Sequence, residues 1–170
     1  KRPLAVNLTS TKGCSMSAPR VVCWFSCGDA SAVATVLALK KYRQTHEVVI
    51  ARICIESEHL DNERFAEDCA EWFGQPIVNL RSDEYRDTWD VWEKRRYIAG
   101  IAGAPCTTEL KKVVRFKFQR PDDIHVFGYT IEEQKRAETF RRNNFEIAAE
   151  FPCIDAGLSK PDCHSLVRSA

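Results

Sequence analysis

Ser26-Cys27-Gly28-Asp29-Ala30-Ser31 lies between an apolar run and an alanine-rich one. Small residues there let the backbone come close to a bound group. The first amides of a following helix would then face that group with the positive end of the helix dipole. This is the chemistry of an oxyanion cradle, to which Ser26 and Ser31 can add hydroxyl donors. Gly28 is the expected point of closest approach, and the residue able to take a positive φ. An ordinary tight strand-to-helix turn with a serine cap uses the same residues. The stretch is not a Walker A loop, because no Gly-Lys-Ser/Thr follows.

Cys106 is a second candidate. It follows Pro105 at an expected helix start close to Lys111 and Lys112, a setting in which a thiol ionises more easily; an inert thiol fits the same position. Lys135 and Arg136 stand just past an expected strand and can meet a ligand there, or can belong, with Glu132 and Glu133, to an exposed helical charge pattern. His59 can meet a ligand or be a hydrogen-bonded structural histidine. The formal net charge is only +1, yet residues 94–142 hold twelve Lys/Arg against six Asp/Glu. A basic segment on a neutral protein suits an anionic ligand better than general nucleic-acid affinity.

These groups need elements to position them. Residues 20–25 form a nearly unbroken apolar run, the pattern of a parallel strand buried on both faces. An amphipathic helix over 30–43 follows, with Val33, Val36, Leu37 and Lys40 at helical spacing. Residues 47–55 read as a second strand, 61–74 as a helix with Asp61 as N-cap and Gly74 as its stop, and 76–80 as a third strand. The spacing predicts a helix around Tyr85, Trp89 and Trp92, with both tryptophans in the core. In 106–120, Leu110, Val113, Val114 and Phe118 share one face, and Lys111, Lys112, Arg115 and Lys117 point elsewhere. A fourth strand over 123–129 and a charged helix over 130–142 follow. A fifth strand is expected near 145–147 or 151–154, then a helix opened by a capping box of Ser159 and Asp162. Alternating strands and helices predict a three-layer α/β/α fold with a mainly parallel five-stranded sheet. Ligands of such sheets bind beyond the carboxyl ends of the strands, here 26–31, 55–60, 81–86 and 128–133.

With 170 residues, the chain is expected to form one domain over 20–170 behind a flexible arm over 1–19. Its longest apolar run falls well short of the roughly 20 residues that span a bilayer. No secretory pattern follows Lys1 and Arg2. Of eight cysteines, Cys23, Cys54 and Cys69 sit inside apolar patterns, where a free Cys behaves as a small hydrophobe. A reduced, cytoplasmic protein is the expectation. There is no CxxC and the four His are scattered, so no metal site is predicted, and an iron–sulfur cluster lacks its four cysteine ligands.

"SCGDAS" resembles the pyrophosphate-binding loop of the adenine nucleotide alpha-hydrolase fold, commonly Ser-Gly-Gly-x-Asp-Ser. It is most similar to that of a phage and bacterial branch of the phosphoadenosine phosphosulfate (PAPS) reductase-like family. "SEHLDNERF" (57–65), "CTTELKK" (106–112), "VFGYTIEEQKR" (126–136) and "GLSKPDC" (157–163) resemble further segments of that branch, in the same order. The resemblance covers most of 20–168. It implies an adenine nucleotide (ATP, PAPS or adenosine 5′-phosphosulfate), with Mg2+ as an accompanying ion. Its phosphates would lie on Ser26, Cys27, Gly28, Asp29, Ala30 and Ser31, and its adenosine beside Ile55, Ser57, Glu58 and His59. The resemblance further implies substrate phosphates at Lys111, Lys112, Lys135 and Arg136, and Cys106 as the catalytic thiol. Three departures stand out. Cys27 replaces the loop's Gly, Ala30 stands where many ATP pyrophosphatases carry Asp, and Asp29 is displaced by one position. Nothing matches the C-terminal cysteine segment of relatives, as expected of a fragment or of a short binding protein.

The implied function is an enzyme of sulfur metabolism, carrying out sulfonucleotide reduction or ATP-dependent adenylyl activation. A nucleotide-binding module without turnover is the alternative, and a nucleic-acid thiolation or modification component a further one. Nucleic acid ranks below a small nucleotide as partner, because the basic segment is short of aromatics placed like a single-strand platform. No membrane partner is expected, and a homodimer is admissible.

Overall fold

A computed structural model of the protein describes residues 18–101 and 103–170; the expected arm up to residue 17, with Cys14 and Met16, lies outside them. Five strands form one sheet: β1 (Arg20–Trp24), β2 (Glu47–Ile53), β3 (Val78–Leu80), β4 (Ile124–Phe127) and β5 (Ala148–Glu150). The order is β3-β2-β1-β4-β5 and every pairing is parallel. The fifth strand falls between the two expected positions. The alternative at 151–154 is instead a helical turn, α7 (Pro152–Asp155), with proline in its first turn, where the missing N–H costs nothing.

Side chains alternate across the sheet. Val21, Cys23, Phe25, Ile50 and Val126 enter the main core with α1 (Asp29–Tyr42), α2 (Asp61–Phe73) and α8 (Lys160–Arg168). On the opposite face Trp24 stacks on His125 with ring centroids 6.1 Å apart, and His125 stacks on Phe127. That face is covered by one helical run and a second helix. The run consists of α4 (Pro105–Thr107), a π segment (Thr108–Lys112) and α5 (Val113–Phe118). A 3-10 turn (Ile131–Glu133) leads into the second helix, α6 (Gln134–Asn143). Phe118 meets Trp24 edge-on, and Phe140 packs on Phe127. Helices therefore lie on both faces of a parallel sheet.

Three local expectations are corrected. α1 is not amphipathic: Ser31, Ala32, Val33, Ala34, Thr35, Ala38, Leu39 and Tyr42 are all buried, because α1 is held between the sheet and α7 and α8. Its alanines permit that close approach. Asp61 is the first residue of α2 rather than its cap, and its carboxylate pairs with Arg64 at 2.7 Å. Trp89 is 69% exposed, because the eight-residue α3 (Thr88–Arg95) buries only Val91 fully. The expected stop at Gly74 holds, with φ 64°.

At the amino ends of the strands, Arg20 donates to both oxygens of Asp123, at 2.8 and 2.6 Å, in a buried pair. Burial alone would raise the Asp123 pKa, but the Arg20 guanidinium and the Arg120 N–H outweigh it and hold the carboxyl below its usual range. A depressed carboxylate contributes stability that is present above its unfolded pKa of about 3.9 and is lost as pH falls through the folded value. Urea midpoints should accordingly drop below pH 4. Arg20→Met/Asp123→Leu should flatten that drop while staying within about 2 kcal/mol of the parent at pH 7.

Candidate functional site

The strand order reverses between β1 and β4, and there a cleft of about 490 Å³ opens beyond the carboxyl ends of β1, β2 and β4. Trp24, Phe25, Ser26, Ala51, Arg52 and Ile53 line one side. Lys111, Lys112 and Arg115 come from the π segment and α5, and Phe127, Gly128, Tyr129, Glu133 and Arg136 from the end of β4 and the start of α6. Glu58 closes the β2 side.

The loop after β1 is organised by Ser31. Its hydroxyl accepts the N–H of Ser26 at 3.1 Å and of Gly28 at 3.3 Å, and donates to the Gly28 carbonyl at 2.7 Å. Among the described residues, the amides of Cys27, Asp29 and Ala30 have no protein acceptor. The left-handed residue is Cys27, at φ 54°, and not Gly28, which is extended at φ −126° and ψ 151°. A Cβ on Gly28 would meet only Ser26 Oγ, at 3.9 Å, so packing within the chain does not require a glycine there. The close approach is at Gly128, where a Cβ would fall 2.4 Å from Ser31 Cα and N and 2.6 Å from Ala30 C. The end of β4 thus touches the first turn of α1 backbone to backbone.

Of the loop residues, only Ser26 lines the cleft. The Cys27 thiol points to the Asn62 carbonyl at 3.6 Å, and burial pushes its pKa up to about 11, against the lowering effect of Arg52. Asp29 is turned toward His164 on α8, with Oδ2 and Nδ1 2.8 Å apart. Ala30 lends its carbonyl to the buried Cys153 thiol. Cys27→Gly would relieve the left-handed backbone and should raise stability by about 1 kcal/mol in denaturant unfolding, with ligand binding kept or improved.

Beyond β2 only Glu58 reaches the cleft. Ile55 packs against the cluster of Tyr85, Val91 and Leu110, and Cys106 packs against the same cluster, away from the cleft lining. Ser57 Oγ lies 3.4 Å from Thr88 Oγ1, and His59 Nδ1 accepts the Asp61 N–H at 3.1 Å. Lys111 stands 3.6 Å from Glu58, whereas Lys112 has no ion-pair partner among the described residues. Arg136 donates to Glu133 at 2.7 Å and covers the Tyr129 ring at 4.5 Å. Lys135 lies in a neighbouring groove rather than in the cleft.

Two cations join the site that sequence reasoning passed over. Arg52 is 3% exposed and donates to both Glu63 oxygens at 3.0 Å. Its signal was a charged residue inside an apolar strand. Arg115, expected on the outer face, is half-buried, with its guanidinium 5.0, 5.5 and 6.0 Å from the rings of Phe116, Phe140 and Phe127. It has no carboxylate partner among the described residues, its Nε is buried without an acceptor, and burial pushes its pKa down. The helix carrying it is widened by a π turn, in which the Val113 N–H reaches the Thr108 carbonyl. Single π turns recur at functional sites.

Of five cations in the cleft, Arg52, Lys111 and Arg136 are engaged by Glu63, Glu58 and Glu133, which leaves Lys112 and Arg115 as a surplus without a carboxylate among the described residues. The surplus suits a ligand with at least two negative charges. Among the described residues, no group of three or more His, Cys, Asp or Glu is arranged to hold a metal ion. The seven described cysteines are free thiols, and none lines the cleft. No helix of the described residues is long and apolar enough to cross a membrane. Fold and cleft together define an α/β protein with a parallel sheet and an electropositive switch-point cleft. No protein-family model matches the chain, and no curated protein matches it.

Proposed function

We propose that the protein binds an adenine nucleotide in this cleft, as a PAPS reductase-like member of the adenine nucleotide alpha-hydrolase superfamily. The nucleotide's phosphates would lie against Lys111, Lys112 and Arg115 and beside Ser26, the loop residue that lines the cleft. The observation that carries this reading is Arg115, a half-buried guanidinium facing the switch-point cleft without a carboxylate. A charge in that position is costly unless something anionic meets it. Sheet order and loop position supply the context, since parallel sheets bind ligands at this crevice.

Of the two reactions implied by the resemblance, adenylyl activation fits the lining better than sulfonucleotide reduction. Cations are present to take the charge of a departing pyrophosphate, and no thiol lines the cleft. Mg2+ would arrive on the phosphates of the nucleotide, because Glu58 and Glu133 are occupied by Lys111 and Arg136. A module without turnover is the second reading, favoured by Asp29 facing His164 instead of the cleft.

Calorimetry with ATP, AMP, adenosine 5′-phosphosulfate and PAPS should show at least one of them binding tenfold or more tighter than adenosine. Equal or absent binding of all of them removes the proposal. Pyrophosphate release from ATP separates activation from a silent module. Lys112→Ala should weaken phosphate-bearing ligands by about 1–3 kcal/mol through loss of a charge-assisted contact. Its melting temperature should hardly move, since the Lys112 side chain is exposed.

A further inference from the structure

Beside the cleft, between α5 and α6, runs a groove of about 780 Å³ that shares Lys112, Arg115, Tyr129 and Arg136 with it. Its lining adds Lys135 and the 53% exposed ring of Phe116, and includes no carboxylate. We propose that this groove holds a single-stranded nucleic acid, so that the acceptor of the chemistry in the cleft is a polynucleotide. The proposal rests on the nucleotide reading of the cleft and deepens it by naming the acceptor.

Charge is the first argument. A mononucleotide in the cleft uses Lys111, Lys112 and Arg115, which leaves Lys135 beyond its reach and without an ion-pair partner among the described residues. A row of cations continuing past one ligand's phosphates matches a backbone that carries a phosphate at every nucleotide. The second argument is Phe116. Its exposed ring stands beside the Arg115 guanidinium, 5.0 Å from the ring centre, and shares the groove with Asn143 and Asn144. An exposed aromatic among cations is a stacking platform for an unpaired base, and side-chain amides can meet base edges. A duplex offers no free base face to Phe116, so the geometry favours a single strand. In sequence, Phe116 and Lys135 are far apart; the fold brings them to one groove.

The test is fluorescence anisotropy of the full chain with labelled dT12, U12 and a 12-base-pair duplex, in rising salt, beside calorimetry with AMP and ATP. Single strands should bind better than the duplex, with log K falling against log salt by about 0.7 per phosphate contact. Lys135→Ala should reduce that slope by about 0.7. Phe116→Ala should weaken single-strand binding by about tenfold with the slope unchanged. Both variants should keep the parent's melting temperature and bind AMP and ATP within about twofold of it, since both side chains are exposed and lie outside the cleft. Equal binding of duplex and single strand, or no effect of Phe116→Ala, overturns the proposal. Mononucleotide binding without any oligonucleotide binding overturns the groove alone. Oligonucleotide binding sensitive to Phe116→Ala, without any mononucleotide binding, supports the groove and removes the nucleotide reading of the cleft.

Discussion

Gly128→Val should leave little folded protein. A Cβ at this position would sit 2.4 Å from Ser31 Cα and N and 2.6 Å from Ala30 C. These are backbone atoms in the first turn of a helix buried on nearly all sides, so they cannot swing away as a side-chain tip could. Relief requires sliding α1 along β1 and β4, which disturbs the main core and the loop after β1 together. Overpacking a well-filled core costs about 1–3 kcal/mol, and a clash with immobile backbone stands at or above the top of that range. Valine adds two methyl groups to the clash, so a loss of about 4 kcal/mol or more is expected, a large share of an ordinary domain's stability. Guanidinium unfolding measures it, and Gly128→Ala should fall between parent and valine. Gly28→Val is the control. That backbone is extended and its Cβ would meet nothing closer than 3.9 Å, so the variant should fold within about 1 kcal/mol of the parent. It tests ligand approach without testing the fold. A folded, ligand-binding Gly128→Val would mean that α1 and β4 are not locked together as described.

The contrast between these glycines marks the boundary of what the sequence discloses. Strand-to-helix alternation, the loop at 26–31 and the parallel order follow from local pattern, because hydrophobic runs and caps are properties of adjacent residues. Gly28 is legible from its neighbours, while the glycine on which the packing depends is defined by a contact between 128 and 30–31, which no local pattern encodes. Tertiary packing also decided the residues after β2. Ile55, Ser57 and His59 stand at the right end of the right strand, but the Tyr85–Val91–Leu110 cluster takes Ile55, and hydrogen bonds to Thr88 and Asp61 hold the other two. Cys106 went the same way. Trp89 failed for another reason: a short helix offers one buried stripe, and Val91 occupies it. Lys111, Lys112 and Arg136 do reach the cleft, whereas Lys135, next to Arg136 in the chain, lines the neighbouring groove instead.

Arg115→Glu should reduce nucleotide affinity by more than a hundredfold, about 2.8 kcal/mol or more at 1.4 kcal/mol per factor of ten. The substitution replaces a donor by a repelling charge, in a wall where the remaining surplus of cations is what an anion meets. Arg115→Met separates charge from packing. Methionine keeps an unbranched apolar stem among Phe116, Phe127 and Phe140, so the aromatic contacts persist while the charge-assisted bonds go. Its affinity loss should be about tenfold to a hundredfold, the cost of a hydrogen bond to a charged group. Stability should move in the other direction. A half-buried guanidinium with no carboxylate and an unbonded Nε is a liability in the free protein, so Arg115→Met should unfold at the parent's temperature or above it. Lost binding with undiminished stability is the signature of a cation kept for its ligand, since a cation kept for the fold shows the reverse. Calorimetry with ATP and thermal unfolding of the same samples distinguish the two. Unchanged affinity with a lowered melting temperature in Arg115→Met would make the arginine a structural lid over Phe127 and Phe140, and would remove the main support for placing a nucleotide in the cleft.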